Sequence, residues 1–234
     1  MSAPVHPGHG RPIGAPVDDR PAKRPGPVTL TGGYGRVEKL TTVHAASLWD
    51  AIKGHDALWT YMSHGPFAAA EAFVAWVDER AGLDDPFGYA IVDNGGRCLG
   101  TASLLNIQTA MRTIEIGFVV YSPALQRTRL GSEAQYLLAR YVFETLGFRR
   151  YEWKCNALNA ASRRAALRYG FTFEGIFRQH MIVKGRNRDT AWLSMLDREW
   201  PARKANFERW LAPDNFDAEG RQRASLSAMN GVTG

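Results

Sequence analysis

The segment IEIGFVVYSPALQRTRLGSEA, Ile114 to Ala134, decides how the rest of this 234-residue chain is read. Its opening residues alternate. Ile114, Ile116, Phe118 and Val120 share one face and Glu115, Gly117 and Val119 the other, which predicts a strand. Pro123 then turns the chain, and a polar, basic, glycine-bearing loop runs from Gln126 to Ser132. An amphipathic pattern follows at once and predicts a helix over 133–146. Such a junction suits anions, because the first helical N–H groups lack intrahelical acceptors and the helix dipole is positive there. A second segment, NAASRRAALRYGF from Asn159 to Phe171, opens another helix on a residue fit to be its N-cap.

Upstream, period-2 patterns predict a meander of Phe87–Val92, Cys98–Asn106 and Arg112–Tyr121, with Asn94-Gly95 marking its first turn. Before it lie a helix over Phe67–Ala81, shorter helices over His55–Met62 and Thr42–Lys53, and a first strand, Tyr34–Leu40. Downstream, Gly147 is placed just past a helix end. Strands are expected at Arg149–Cys155, Phe171–Phe177 and Asp189–Leu196, with a helix over Asn159–Tyr169. Trp200, Phe207, Trp210 and Leu211 stripe a last helix. It covers either its own core or a second copy, so a homodimer stays open. The order predicts an α+β (mixed α/β) fold: one domain, 28–198, with a twisted, mostly antiparallel central sheet flanked by helices, then a helix over 199–212. The Pro/Gly-rich residues 1–27 and the polar residues 213–234 are expected to be flexible tails.

Composition removes several function classes. Hydrophobic residues make up 45% of the chain, with seven Trp and eleven Phe, enough for a sizeable core. No apolar run approaches the roughly eighteen residues of a membrane span, and the N-terminal stretch has no signal-peptide core, so a cytoplasmic location is expected. Cys98 and Cys155 lack CxxC spacing and are read as reduced core thiols. His44, His55 and His64 form no ligand spacing with any Asp/Glu pair, so no metal is expected. The net charge of +6 gathers in the second half: eleven Lys/Arg against four Asp/Glu lie between Arg149 and Arg198. Such charge suits a polyphosphate, an RNA or an acidic protein. The chain lacks a nucleic-acid motif and the aromatic–basic interleaving of stacking platforms, so a nucleic-acid partner is not expected.

A strand, a Q-x-x-x-x-G loop, a helix, a strand, and N-x-x-S before a helix ending in GF together resemble the GNAT superfamily of acyl-CoA-dependent N-acetyltransferases. Ser132-Glu133-Ala134, Asn159 to Ser162, Tyr169 to Phe171 and Glu174 to Arg178 are similar to its RimJ/RimL-type branch. The resemblance spans Arg36 to Leu196. It implies a GNAT-like sheet, acetyl-CoA as acyl donor, and direct transfer in a ternary complex to a primary amine, either a protein N-terminus or a small molecule.

The resemblance also implies roles. Gln126, Arg127, Thr128, Arg129, Leu130, Gly131 and Ser132 would hold the pyrophosphate. Arg129 stands where the family's Q/R-x-x-G-x-G/A pattern has a glycine, and either adds a guanidinium contact or points to solvent. The backbone of Phe118, Val119 and Val120 would contact the thioester carbonyl. Glu115 would be the general base, the bland alternative being a strand carboxylate paired with Arg112 or another base on a solvated face. Asn159 and Ser162 would line the pantetheine arm, with Ser162 also the proton donor to the leaving thiolate. The family's tyrosine acid falls on Ala166, and Tyr169, three residues on, is expected to face elsewhere. Arg163, Arg164 and Arg168 either reach the 3′-phosphate or form a solvated face. Trp49, Trp59, Tyr61 and Trp76 either pack the core or wall the acceptor. Arg129 and the absent tyrosine leave a second reading, a weakly active acyl-CoA-binding sensor or docking module.

Overall fold

In the computed structural model, which describes residues 3–232, eight strands join in one sheet. In chain order the elements are β1 (Thr29–Thr31), β2 (Gly35–Lys39), α1 (Ala45–Ile52), α2 (Ala70–Ala81), β3 (Phe87–Asp93), β4 (Cys98–Gln108) and β5 (Thr113–Tyr121). There follow α3 (Arg129–Arg140), β6 (Arg150–Asn156), α4 (Ala160–Arg168), β7 (Thr172–Val183), β8 (Arg186–Leu196), α5 (Trp200–Leu211) and α6 (Leu226–Met229). The sheet order is β1-β2-β3-β4-β5-β6-β8-β7. All neighbours are antiparallel except β5 and β6, because α3 carries the chain back to start β6 in the direction of β5.

That parallel pair is short. Thr113–Ile116 pairs with Arg150–Trp153, after which β5 continues to Tyr121 against β4 and β6 to Asn156 against β8, no longer paired with each other. The sheet therefore splits in its middle, and the split becomes the cleft. Helices cover both faces, so β3 is buried on both sides. Leu137, Leu138, Val142, Trp200 and Phe207 pack with Ile114, Ile116 and Tyr151 on one side. Leu48, Phe73, Trp76 and Val77 pack with Ala90, Val92 and Val120 on the other. Each such buried side chain contributes about 1.5–3 kcal/mol of transfer free energy, the force that fixes which faces turn inward.

The expected α+β sheet is present, with informative departures. Strict alternation along β5 holds through Ile116 and then slips. Phe118 has φ +48°, and the β4 register shifts between Thr101 and Ser103, opposite Val120 and Gly117. Past this bulge Val119 and Tyr121 turn to the side of Ile114, while Val120 joins the opposite core. The third helix begins at Arg129, four residues before the expected Glu133, because Thr128 caps it: its Oγ1 accepts from Gly131 N at 3.0 Å. Gly147, at φ +78°, ends the π-helical turn Tyr141–Leu146 that prolongs it. The β7–β8 hairpin is longer than expected, reaching Val183 and restarting at Arg186. α5 buries Trp200, Phe207 and Trp210 in its own chain's core.

The segments expected as tails also differ. Residues 18–28 lie along the domain, with Ala22 N donating to Thr109 O (3.0 Å), Lys23 N to Leu146 O (2.8 Å) and Tyr89 Oη to Gly26 O (3.1 Å). After Pro213 the chain returns over α4 and α5, burying Leu226 and tying Gln222 to Trp210 (2.8 Å) and Asn230 to Arg168 (2.9 Å). Polar composition concealed this, because these segments are held by backbone and amide bonds rather than by an apolar stripe.

Candidate active site

A cleft of about 1560 Å³ runs through the split between β5 and β6. Its walls include Glu115, Phe118, Val119, Val120, Gln126, Arg127, Thr128, Arg129, Gly131, Ser132, Asn159 and Ser162. The structure thus gathers every expected site residue but one into a single cavity. Leu130 is the exception: its side chain is buried in the core beneath α3, leaving only its backbone to face the junction.

At one end the chain turns into α3. Gln126 Nε2 donates to Tyr121 O, closing the turn, and Arg127 has φ +61°. Thr128 satisfies Gly131 N, whereas no acceptor is found for the N–H groups of Arg127, Arg129 and Leu130 among the described residues. Gly131 is needed for packing rather than for an unusual backbone angle. A Cβ there would stand 2.8 Å from Leu125 O and 3.1 Å from the Tyr121 ring. Arg127, Arg129, Arg164 and Arg168 line this end, and none pairs with a carboxylate among the described residues. Arg129 is half-buried, its guanidinium 4.8 Å from the Tyr34 ring and 4.7 Å from the Phe216 ring. Arg168 is stacked 4.7 Å from Trp210, donates to Ser132 Oγ at 3.0 Å, and has its pKa drawn down by burial. Unpaired guanidinium groups and unsatisfied N–H groups at a helix start fit a polyphosphate. Further along, the edge of β5 that has lost β6 offers backbone groups to an amide-bearing chain. The residues present therefore fit coenzyme A.

The bulge at Phe118 is supported from α2. The buried Arg80 guanidinium sits 4.1 Å over the Phe118 ring, with Nη2 at 3.1 Å from His64 Nε2. Burial and the adjacent Arg80 charge lower the His64 pKa, keeping the imidazole neutral as an acceptor for that guanidinium. Arg80 has no carboxylate partner among the described residues, so the aromatic ring and the imidazole are its compensation.

At the far end stands Glu115, buried and facing the cleft. It pairs with Lys154, not Arg112: Oε2 accepts from Lys154 Nζ at 2.8 Å and from Asn106 Nδ2 at 2.7 Å. Lys154 is shared with Glu152 at 2.7 Å. Burial raises the Glu115 pKa against the pull of Lys154 and Asn106. Burial opposes charge on Lys154 too, yet its two carboxylates hold its pKa above the ordinary value. Both bonds fall on Oε2, so Oε1 is left toward Gly117, where a Cβ would come within 3.5 Å of it. Asn106 is aimed by Asp85, whose carboxylate accepts from Asn106 N and Ile107 N, each at 3.0 Å.

Between the two ends, Asn159 Oδ1 accepts from Ser162 N at 3.1 Å, the N-cap role weighed for it. Ser162 Oγ accepts from Trp153 Nε1 at 2.9 Å, which leaves its own proton to donate. Tyr169 corrects the sequence expectation. It lines the cleft, stacked on Phe207, its pKa raised by burial. Cys155 also lines the cleft, but burial lifts its thiol pKa, which disfavours the thiolate a nucleophile requires. Trp59 and Trp76 belong to the core, whereas Tyr61 reaches the cleft wall. Sequence reasoning passed over Lys154, Asn106 and Arg80. Glu152 and Lys154 alternate with Tyr151, Trp153 and Cys155, which announces a polar strand face. Asn106 and Arg80 carry no such signal.

A split mixed sheet with a phosphate-fitting helix start on one flank and a buried carboxylate on the other defines an acyl-CoA-type transferase cleft. Residues 36–172 match the family model described as "Acetyltransferase (GNAT) domain", and the chain belongs to the GNAT acetyltransferase family. A solved GCN5-related N-acetyltransferase from Brucella melitensis is 43% identical, with a TM-score of 0.88 over 91% of this chain and 98% of that one. A GNAT-family structure from Chromobacterium violaceum ATCC 12472 is 40% identical, with a TM-score of 0.75 over 86% of this chain and 100% of that one. The Bacillus subtilis (strain 168) protein named "Putative ribosomal N-acetyltransferase YdaF" is 28% identical over 150 residues, 62% of this chain and 80% of that protein.

Proposed function

We propose that this protein moves an acetyl group from acetyl-CoA to a primary amine by direct transfer within a ternary complex. The observation that carries the reading is that one continuous cleft joins the arginine-lined start of α3 to Glu115. An α-amine (pKa roughly 8) or a lysine (roughly 10.4) is partly or wholly protonated at neutral pH, and only the neutral form attacks a thioester. Glu115 Oε1, through a water, takes that proton. Backbone N–H groups near Phe118 to Val120, on the unpaired edge of β5, polarise the carbonyl as the C–N bond forms. As the C–S bond breaks, Ser162 relays to sulfur the proton that the nitrogen sheds on becoming an amide, so its own hydroxyl is restored. The raised thiol pKa of Cys155 argues against a covalent acyl-enzyme.

The acceptor is either a protein N-terminus or a small amine. The name of the B. subtilis relative favours a ribosomal protein. A second reading, an acyl-CoA sensor with little turnover, is favoured by the capture of Glu115 by Lys154 and of Arg129 between Tyr34 and Phe216. Calorimetry with acetyl-CoA, followed by free-thiol release on peptide N-termini and small amines, separates them. Binding with thiol release supports transfer, and binding without release from any amine supports the sensor. No binding removes both.

A further inference from the structure

The acceptor half of the cleft contains an arginine that nothing in the acetyl-transfer chemistry employs. Arg188 of β8 lines the cavity and is half-buried. Its Nε donates to Thr190 Oγ1 at 3.2 Å, and its two Nη groups have no acceptor among the described residues. The same Thr190 oxygen lies 3.0 Å from His180 Nδ1, so Thr190 and His180 fix the root of the guanidinium while its fork stays open. Arg188 and Glu115 line the same cleft, and burial draws the Arg188 pKa down.

The nearby carboxylates are engaged elsewhere. Glu115 is held by Lys154, and Glu152 by Lys154 and Arg150. Asp189, the adjacent residue, accepts from Gln179 N at 2.7 Å and Asn187 Nδ2 at 2.9 Å. A guanidinium drawn out of water with its planar fork unpaired is suited to a carboxylate brought by a ligand, because the two match bidentately. In the same cleft, Glu115 Oε1, which has no hydrogen-bond partner among the described residues, suits an ammonium group. The walls thus present complementary charges of opposite sign to the two ends of one molecule.

From this geometry we infer that the acceptor is an amine bearing a carboxylate a few bonds from its nitrogen, with Arg188 as the specificity-determining contact for that carboxylate. The inference rests on the acetyl-transfer reading. The shared chemistry has two sources, a free amino acid or an acidic residue at or beside a peptide N-terminus. Polyamines and other purely cationic amines are disfavoured, because they would set a positive charge against an unpaired guanidinium.

The test uses the full chain, acetyl-CoA and acceptors in pairs that differ by one carboxylate. One arm sets free amino acids against their amides, the other N-terminal Asp or Glu peptides against Asn or Gln. The carboxylate-bearing member should be favoured in kcat/KM by about tenfold to a hundredfold. Arg188→Met should remove that preference while leaving acetyl-CoA affinity unchanged, and Arg188→Lys should restore part of it. Selectivity confined to one arm identifies the source. Equal rates within every pair, or unaltered selectivity in Arg188→Met, overturn this inference and leave acetyl transfer standing. Absence of thiol release from every amine overturns both. The selectivity of the unmodified protein carries the result even if a variant folds poorly.

Discussion

The two ends of the cleft are built on opposite plans. At the phosphate end the polar groups come from one short run, Gln126 to Ser132, joined by Arg164 and Arg168, and the arginines have no carboxylate partners among the described residues. At the acceptor end the groups come from β4, β5, β6 and β8, and most charges there are already balanced, Glu115 by Lys154 and Glu152 by Lys154 and Arg150. A grip on phosphates needs only local backbone and a helix start. Proton transfer needs a carboxylate whose charge is controlled from several directions. Substitutions at the first end should therefore change binding, and those at the second should change turnover.

The largest effect is expected at Glu115. Glu115→Gln should lower kcat by about a hundredfold or more at neutral pH, the loss typical of a removed general base. Burial raises the carboxyl pKa above the ordinary value, so the wild-type rate should rise with pH as Glu115 ionises and again as the amine loses its own proton. The variant should lack the first limb and recover in part at alkaline pH. Rates equal to wild type across a pH series would take Glu115 out of the chemistry.

Gly131 tests the other end. A leucine there would bring a Cβ to within 2.8 Å of Leu125 O, pushing the start of α3 off β5. Overpacking of this kind costs about 1–3 kcal/mol. Calorimetry should show acetyl-CoA binding weakened about tenfold or more, with a lowered melting temperature. Unchanged affinity would mean that the junction is not the phosphate grip.

Arg80 lies between the ends and asks which of them the bulge serves. Arg80→Met keeps much of the volume but removes the cation over Phe118 and the partner of His64. If Arg80 holds Phe118 at φ +48° for the carbonyl contact, kcat should fall about tenfold while the KM for acetyl-CoA moves less than twofold. Arg80→Lys should recover part of the loss. A fall that simply follows the melting temperature, with kcat and KM altered alike, would make the residue structural.

The contrast also explains how much the sequence disclosed. The phosphate end was legible because its groups are consecutive and its chemistry is that of a helix start. The misplaced helix boundary followed from treating Thr128 as loop, when its hydroxyl is the cap. Glu115 could be found by position, but not its partner. Lys154 is 39 residues away, and only the parallel β5–β6 register, which sets Glu115 beside Glu152, brings it near. The bulge at Phe118 was hidden because its apolar pattern fits unbroken alternation equally well. Tyr169 was turned the wrong way for a related reason: α5 and its Phe207, far along the chain, set the direction of that ring.

The smallest effect is expected where the chain departs from its family's glycine pattern. Arg129 lies between Tyr34 and Phe216, and Phe216 belongs to the segment after Pro213 that closes over this end of the cleft. Phe216→Ala would leave the guanidinium stacked on one face only. A cation–π contact at such a site is worth about 0.5–1 kcal/mol, so losing the order it imposes should raise the acetyl-CoA Kd about two- to fivefold. The turnover rate at saturating acetyl-CoA should not change, since Glu115 and β5 are untouched. The sign matters more than the size. A lower Kd in Phe216→Ala would show that the stack holds Arg129 away from the phosphates, so that the loop binds through its backbone N–H groups alone and the arginine serves to latch the C-terminal segment.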